Sequence, residues 1–549
     1  MPTKLVMATV MAALAASLLV ASAMAGGTAS SARGGTLRYN HSLSDYEYID
    51  PQKCYDTGCS ELLWPVSYNL MQYPERNGAQ GKRVYPEAAT GQPTVSRNGL
   101  TYTFRIRPGH RASNGKVVTA QWYVRAFERL LSPRMGDAAS ARFGGLHVLE
   151  NVAGVQAFYD GKAQTISGVR AVGPNRLVIR LTKPFGSLTT ALAMNWFTAT
   201  DPATPYSEQD MNTVVGAGPY FVSSREVGRT VVLDRNRNYR GNRPANPDRI
   251  VVTVGGDQNQ SILQVKAGQA DIEPGVPSAA AGALSDEFGV NKGRFFVKPT
   301  SVTSYWALNS LPGQPLNNAK FRQAINWAID RPAMVRISGK FGGRRTSQIL
   351  PPGMPGFKQA NNIYAYNGAN VARAKQVAGD VSNVPTLRIV HSNSSANINR
   401  GQVMRFNLEA MGFKARTEPI PSSQLFSRAG DKKGNYDVLA IGWQADYPDP
   451  SNFINILLDG RNLPDEGSSN NAALFNSPKF NRLMDRAAAL TGDARYTAYG
   501  NLDIQIMREA APWAPYINSN NRILVSGRIS NFIYNEANTN MALNAMVIR

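Results

Sequence analysis

The length of the chain excludes a single ordinary hydrophobic core, so 549 residues predict two or more lobes. Hydrophobic residues make up 43% of the chain, as expected of a globular protein, and Lys and Arg outnumber Asp and Glu by 59 to 38. The bases are scattered and are not interleaved with stacking aromatic residues, which argues against a nucleic-acid-binding protein. Such a charge favours a general attraction to anionic surfaces instead.

The first residues have the features of an export signal. Lys4 precedes the apolar run LVMATVMAALAASLLVASAMA, and Ala23-Met24-Ala25 is a small-x-small cleavage site. We therefore predict a secretory signal peptide over residues 1–25. An uncleaved membrane anchor is the alternative, since the run is marginally long enough to span a bilayer. No Cys lies near the cleavage site, so we expect an extracytoplasmic protein that is peripheral to the membrane and is not a lipoprotein.

The chain contains two cysteines, Cys54 and Cys59. In an oxidising compartment, two thiols five positions apart favour a small disulfide loop. Half of a metal site is the alternative, but the four His residues show no ligand-like spacing. We therefore expect a disulfide, no bound metal and no cofactor.

Strand and helix patterns alternate along the rest of the chain. Asn98-Gly99 is a hairpin turn signal, and apolar residues then occupy every second position from Leu100 to Ile106. Apolar spacing of 3 and 4 predicts a helix over 317–330, and Asn476-Ser477-Pro478 opens another. Further strands are predicted at 36–40, 176–181, 230–236 and 249–254. This mixture predicts an α/β or α+β fold.

Motifs typical of enzymes are missing from the sequence. There is no G-x-S-x-G elbow, no H-E-x-x-H helix and no G-x-x-x-x-G-K-[ST] phosphate loop. A glycosidase that uses a pair of carboxylates stays open on these grounds, with Asp446 and Asp449 as the pair.

Both acids lie in the stretch GWQADYPDP, residues 442–450, and their neighbours in this stretch predict different roles for them. Asp449-Pro450 precedes a helical apolar pattern, so we expect Asp449 to be its N-cap. Asp446 follows a buried strand centred on residues 438–441, which directs it into the crevice where α/β sheets bind ligands. Trp443 and Tyr447 would form apolar walls. A carboxylate held by a local Arg or by backbone donors is the alternative for Asp446.

Six stretches in order carry a resemblance that extends from about Thr36 to the C-terminus. The chain resembles the extracytoplasmic solute-binding proteins of ABC transporters, in the peptide/nickel family that includes the dipeptide- and oligopeptide-binding proteins. The matching stretches are GLTYTFRIRPGHRASNGKVVTAQWYVRAFERLLSP (99–133), GAGPYFV (216–222), RNYRGNRPANPDRIVV (237–252), ILQVKAGQADI (262–272), YWALNSLPGQPLNNAKFRQAINWAIDR (305–331) and YDVLAIGWQADYPDPSNF (436–453).

The resemblance implies a two-lobed α/β fold like the class II periplasmic binding proteins, with an extra subdomain in lobe one and a hinge between the lobes. We expect lobe one at 34–301, lobe two at 302–514 and a return to lobe one at 515–549. The two crossings would lie near 299–305 and 511–519, where Pro and small polar residues occur.

The resemblance also implies site residues. Asp446 matches the acid that receives the α-ammonium of a peptide ligand, where a charge-assisted hydrogen bond is strong. Gly442 would let the backbone approach the ligand, and Trp443 and Tyr447 would pack against it. Tyr305 and Trp306 are expected to face the cleft and contact the ligand, with a place in the hydrophobic core as the alternative for each. No residue for the ligand's carboxyl end is identifiable.

These observations predict the solute-binding component of an ABC importer, not an enzyme. It would capture a small solute, in the first place a short peptide, and deliver it as a monomer to membrane permease subunits. A nickel-complex- or oligosaccharide-binding member of the same family is one alternative. A secreted carbohydrate-active enzyme that uses Asp446 is the other.

Overall fold

The computed structural model describes residues 34–42, 44–136 and 140–549, so the predicted signal peptide lies outside the described residues. The described part contains nineteen strands and fifteen helices. The strands are β1 Thr36–His41, β2 Met71–Gln72, β3 Tyr85–Pro86, β4 Thr94–Val95, β5 Thr101–Arg105, β6 Val169–Ala171, β7 Arg176–Arg180, β8 Tyr220–Glu226, β9 Thr230–Arg235, β10 Arg249–Val254, β11 Ile272–Glu273, β12 Phe295–Leu308, β13 Gly343–Arg345, β14 Leu387–Ser392, β15 Ala415–Ile420, β16 Val438–Gln444, β17 Trp513–Val525, β18 Tyr534–Asn535 and β19 Asn540–Met541.

The helices are α1 Thr57–Leu63, α2 Ala120–Leu131, α3 Ser140–Leu149, α4 Val155–Tyr159, α5 Leu188–Ala191, α6 Gln258–Lys266, α7 Ser278–Phe288, α8 Ala319–Ala328, α9 Arg331–Arg336, α10 Val371–Ala378, α11 Ser395–Ala410, α12 Ser422–Arg428, α13 Ser451–Leu458, α14 Pro478–Ala489 and α15 Gly492–Glu509. The α/β class predicted from the sequence is confirmed. Among the described residues, no helix is both long enough and apolar enough to cross a membrane.

One large mixed sheet runs through the whole molecule. Its strand order is β15-β14-β16-β12-β17-β11-β1-β10-β9-β8, and β13 pairs with β17 as an additional strand. The parallel pairs β14–β15 and β1–β10 lie on opposite sides of the central antiparallel pair β12–β17. The strands β16, β14 and β15 thus belong to one half of the molecule and β1, β8, β9 and β10 to the other.

The two central strands connect these halves. In β12, residues Phe295–Pro299 pair with β17 on one side of a register shift, and pairing resumes at Thr303. From Val302 onward, β12 also pairs with β16. A shift in register of this kind interrupts the ladder and bends the strand. Both strands therefore pass between the halves near the predicted first crossing, although the lobe boundaries themselves stay a prediction.

A smaller sheet lies apart from the large one, in the order β4-β5-β7-β6. Phe104 of β5 and Leu177 and Ile179 of β7 are fully buried, because their alternating positions face helix α2 and its neighbours. Helix α2 contributes Tyr123 and Phe127 to the same core. This sheet and its helices lie within residues 34–301, the range predicted for lobe one.

The local sequence signals explain the element boundaries. Gly99 has a φ of +70°, which the predicted turn requires, and Asn318 caps α8 by accepting a hydrogen bond from the N–H of Lys320 at 3.0 Å. The boundary at α13 corrects one prediction. This helix begins at Ser451 with Pro450 as its N-cap, so Asp449 lies one position before the cap.

Candidate functional site

A cavity of about 760 Å³ lies between the two predicted lobes. From lobe one it is lined by residues of the segments 47–73, 190–196 and 538–540, and from lobe two by Tyr305 and residues of the segments 426–429, 441–448 and 468–470. A concave site of this size, placed between two halves of a chain, has the dimensions of a small-molecule site. Five of the six residues predicted as ligand contacts line it: Gly442, Trp443, Asp446, Tyr447 and Tyr305.

Asp446 lies directly beyond β16 and is half-buried in the cavity wall. Its carboxylate accepts a hydrogen bond from the side-chain amide of Asn452 at 2.8 Å and another from the hydroxyl of Tyr55. Burial raises the pKa of Asp446 to about 6, and these two hydrogen bonds offset part of that rise. Among the described residues, no cationic side chain forms an ion pair with this carboxylate, so it is costly to ionise.

Asn452 organises this corner of the site. It is fully buried on α13, and its Oδ1 accepts hydrogen bonds from the backbone N–H of Asp446 at 3.0 Å and from the indole N–H of Trp443 at 2.9 Å. The side-chain amide of Asn452 thus holds both Asp446 and Trp443 in position. Asn452 was not predicted from the sequence, although a polar residue on the buried side of a short apolar helix is a usable signal.

Tyr55 reaches Asp446 from the opposite lobe. It lies in the loop closed by the disulfide Cys54–Cys59, whose Cα atoms are 5.8 Å apart, just before α1. Asp56 caps α1 by accepting the N–H of Cys59 at 2.8 Å. The spacing of the two cysteines predicted this disulfide, but no local pattern connects it with the site, because the contact joins residues almost 400 positions apart.

Tyr447 and Tyr305 form parts of the cavity wall that are almost inaccessible to solvent. Tyr447 packs into the hydrophobic core of lobe one, together with Tyr68 and Leu188, although it belongs to the lobe-two segment. Tyr305 stacks on Trp513 with ring centroids 3.6 Å apart. Both residues line the cavity although little of either side chain is exposed.

Trp306 does not line the cavity, and its expected role as a ligand contact is corrected. Its side chain is fully buried in a lobe-two core with Leu308 and Ile325. Successive side chains of a strand point to opposite faces, so Tyr305 and Trp306 of β12 cannot both face the cleft.

Asp449 has a second partner that the sequence did not reveal. Its Oδ1 accepts hydrogen bonds from the N–H of Ser451 at 3.0 Å and from Arg495 of α15 at 2.8 Å. Both side chains of this ion pair are almost fully buried. Asp449 therefore neutralises an internal arginine and is structural, whereas Asp446 faces the cavity.

No group of three or more His, Cys, Asp or Glu side chains is arranged to hold a metal ion in the part of the chain that the structure describes.

Comparisons with known proteins agree with this architecture. Residues 83–465 match the profile of "Bacterial extracellular solute-binding proteins, family 5 Middle". The chain is 24% identical over 501 residues to the "Probable D,D-dipeptide-binding periplasmic protein DdpA" of Escherichia coli (strain K12), covering 90% of each chain. It is also 24% identical over 475 residues to "Heme-binding protein A" of Haemophilus influenzae, covering 80% of each.

Among solved structures, the fold is similar to that of the "Clavulanic acid biosynthesis oligopeptide binding protein 2", with a TM-score of 0.84 and 21% sequence identity. The alignment covers 94% of this chain and 96% of that one. This similarity supports the two-lobed α/β fold that the sequence predicted. Because the family profile spans more than half of the sequence, the chain belongs to family 5 of the bacterial extracellular solute-binding proteins, which are binding components of ABC transporters and not enzymes.

Proposed function

We propose that this protein captures a short peptide outside the cytoplasm by its α-ammonium and delivers it to the permease of an ABC importer. The observation that carries the proposal is the carboxylate of Asp446, which lines an interlobe cavity without an internal cation and whose pKa is raised to about 6. An ammonium group from a ligand would supply the missing charge through a charge-assisted hydrogen bond.

The two predicted lobes would share the ammonium. Asp446 belongs to lobe two and Tyr55 to lobe one, and they are already hydrogen-bonded to each other. An ammonium has three donors, so it can bind the carboxylate and the tyrosine hydroxyl at the same time. Capture would then hold the lobes together. The similarity to dipeptide- and oligopeptide-binding proteins supports a peptide as the solute.

Calorimetry with Ala-Ala-Ala and its N-acetylated form tests this proposal. Acetylation removes the ammonium and should weaken binding to the wild type. Asp446→Asn keeps the shape of the side chain but removes its charge, and should lower affinity for the free peptide by about 2–5 kcal/mol, because the other charge is left unpaired. This corresponds to roughly 30-fold to several-thousand-fold in Kd.

Asp286→Asn is the matched control, since the side chain of Asp286 on α7 is 82% exposed and does not line the cavity. This variant should bind like the wild type. If acetylation leaves wild-type affinity unchanged, the ligand ammonium is not what Asp446 binds. A nickel complex or an oligosaccharide would then be the better solute.

Export by the predicted signal peptide, the absence of lipid attachment and a monomeric state belong to the same proposal. Mass analysis of the mature protein purified from its extracytoplasmic compartment tests the first two. A mass that begins at Gly26 without an added lipid is the expected result.

A further inference from the structure

The charge of the cavity is opposite to the charge of the chain. Three acids line the cavity, Glu47, Asp56 and Asp446, against one base, Lys53. In the whole sequence, Lys and Arg outnumber Asp and Glu by 59 to 38. The acids are therefore concentrated at this place in a protein that is otherwise basic, and the field inside the cavity favours cations.

The single base is not available to a ligand. The ammonium of Lys53 donates hydrogen bonds to the backbone carbonyls of Glu208 at 2.6 Å and Gln209 at 3.1 Å, and the residue is only 2% exposed. Burial lowers the pKa of Lys53, so its charge is already held at a cost. Among the described lining residues, no other side chain could pair with a ligand carboxylate as an ion.

The aromatic residues of the cavity also favour a cationic ligand. Nine aromatic side chains line the described cavity. The three indole N–H groups among them are engaged within the protein, by Glu75 for Trp64, by the carbonyl of Cys54 for Trp196 and by Asn452 for Trp443. These N–H groups are thus not available to a ligand, and the π-face of an aromatic ring attracts cations. The remaining polar lining residues are neutral amides and hydroxyls.

We infer that the cavity selects peptides that carry a second positive charge in addition to the α-ammonium. This inference rests on the proposed function and deepens it. Asp446 would take the ammonium, and the second cationic group would face Glu47 and Asp56 on the lobe-one side. Glu47 is exposed and lines the cavity. Asp56 caps α1 through its Oδ1, which accepts the N–H of Cys59. A ligand's terminal carboxylate would make no ion pair.

Calorimetry with three tripeptides of equal length tests the inference: Ala-Lys-Ala, Ala-Ala-Ala and Ala-Glu-Ala. At low ionic strength we expect Ala-Lys-Ala to bind about 10-fold more tightly than Ala-Ala-Ala, and Ala-Glu-Ala to bind more weakly than either. The preference should shrink as NaCl is raised, because salt screens charges near the cavity mouth. Amidation of the carboxyl end of Ala-Ala-Ala should not weaken binding.

The double variant Glu47→Gln/Asp56→Asn identifies the residues responsible. Asn can replace Asp as a helix cap, so the fold of α1 should survive. The variant should bind Ala-Lys-Ala and Ala-Ala-Ala with affinities within about threefold of each other. Glu226→Gln removes an exposed acid that does not line the cavity, and it should keep the wild-type preference.

The outcomes separate this inference from the proposed function. If the three peptides bind equally, or Ala-Glu-Ala binds best, the inference is overturned and peptide capture stands. If Ala-Lys-Ala is preferred but the double variant keeps the preference, Glu47 and Asp56 are not the selecting acids and the inference is also overturned. If none of the peptides binds, the proposed function fails and the inference fails with it.

Discussion

Asp446 is subject to two opposing requirements. A carboxylate that binds a cation must be ionised and partly removed from water, but removal from water disfavours its ionised form. In the ligand-free protein, burial raises the pKa of Asp446 to about 6, which is the effect of this second requirement. Asn452 and Tyr55 relieve it only in part, because a neutral amide and a hydroxyl do not supply a positive charge.

The raised pKa predicts how binding depends on pH. Below pH 6, Asp446 becomes protonated and loses its attraction for an ammonium, whereas the peptide ammonium stays charged. We expect Ala-Ala-Ala to bind about 10-fold more weakly at pH 5 than at pH 7. Calorimetry at both values measures this ratio. Acetylated Ala-Ala-Ala should show no comparable change, and an equal loss for both peptides would contradict the assignment to Asp446.

The same shift predicts the opposite effect on folding stability. Between about pH 4 and pH 6 the folded protein binds a proton at Asp446 more readily than the unfolded chain does, so this residue stabilises the fold less as the pH rises. At pH 7, Asp446→Asn should be more stable than the wild type, by less than about 3 kcal/mol because the side chain is partly exposed. Denaturant melts at pH 4 and pH 7 measure the difference, which should nearly vanish at pH 4.

Asp449 should respond differently to the same substitution. Asp449→Asn leaves Arg495 buried without a counter-charge, which costs about 3–5 kcal/mol when one partner of a buried pair is removed. The expected result is a lower free energy of unfolding in urea, with the affinity of the folded protein for peptide little changed. Glu466→Gln breaks an exposed pair with Lys433 and should cost less than about 1 kcal/mol. Equal stability of the two variants would contradict the structural role of Asp449.

At the scale of elements, the disulfide loop before α1 holds Tyr55 of the predicted lobe one beside Asp446. The bond Cys54–Cys59 closes the loop, the carbonyl of Cys54 accepts the indole N–H of Trp196, and Tyr55 lies between these anchors and Asp446. A short loop held at both ends can present one hydroxyl with little loss of entropy on binding.

Tyr55→Phe removes only this hydroxyl. Since the hydrogen bond from Tyr55 lowers the pKa of Asp446, its loss should raise the pH at which peptide affinity declines.

The double variant Cys54→Ser/Cys59→Ser should lower the free energy of unfolding by about 2 kcal/mol at most, because the loop is short. Thiol titration of the denatured, unreduced wild type should find no free cysteine. Two free thiols, or an unchanged pH midpoint in Tyr55→Phe, would contradict this account.

Sequence patterns predicted the elements around the site well, and the tertiary contacts poorly. The strand before Asp446, the helix after Pro450 and the helix within 317–330 follow from local periodicity and capping chemistry, which neighbouring residues determine. Tyr55 and Arg495 were missed because their partners are distant in sequence, and no local pattern encodes such a contact. Trp306 was predicted wrongly as a ligand contact. Side chains alternate between the two faces of a strand, so two adjacent aromatic residues cannot both face the cleft.

At the scale of the whole molecule, the two predicted lobes touch across the cavity through few polar contacts. Besides Tyr55 and Asp446, the side chain of Gln444 donates to the hydroxyl of Thr539 at 2.9 Å, and the hydroxyls of Ser187 and Ser451 lie 3.4 Å apart. By contrast, the strands β12 and β17 are continuous through both halves. Weak contacts at the cavity and a continuous pair of strands behind it are the arrangement that a hinge requires.

We therefore predict that peptide binding closes the lobes about the crossings near 299–305 and 511–519. The register shift in β12 between Pro299 and Thr303 leaves the ladder interrupted where bending would concentrate. An ammonium that binds Asp446 and Tyr55 together adds contacts only in the closed state, so it must shift the population toward that state. Small-angle scattering should show a smaller radius of gyration with saturating Ala-Ala-Ala than without it, and no change with the acetylated peptide. Asp446→Asn at the same peptide concentration should stay at the larger radius. A radius that does not change at a saturation verified by calorimetry would mean that the lobes are fixed relative to each other, and that the ammonium binds in a cavity already formed.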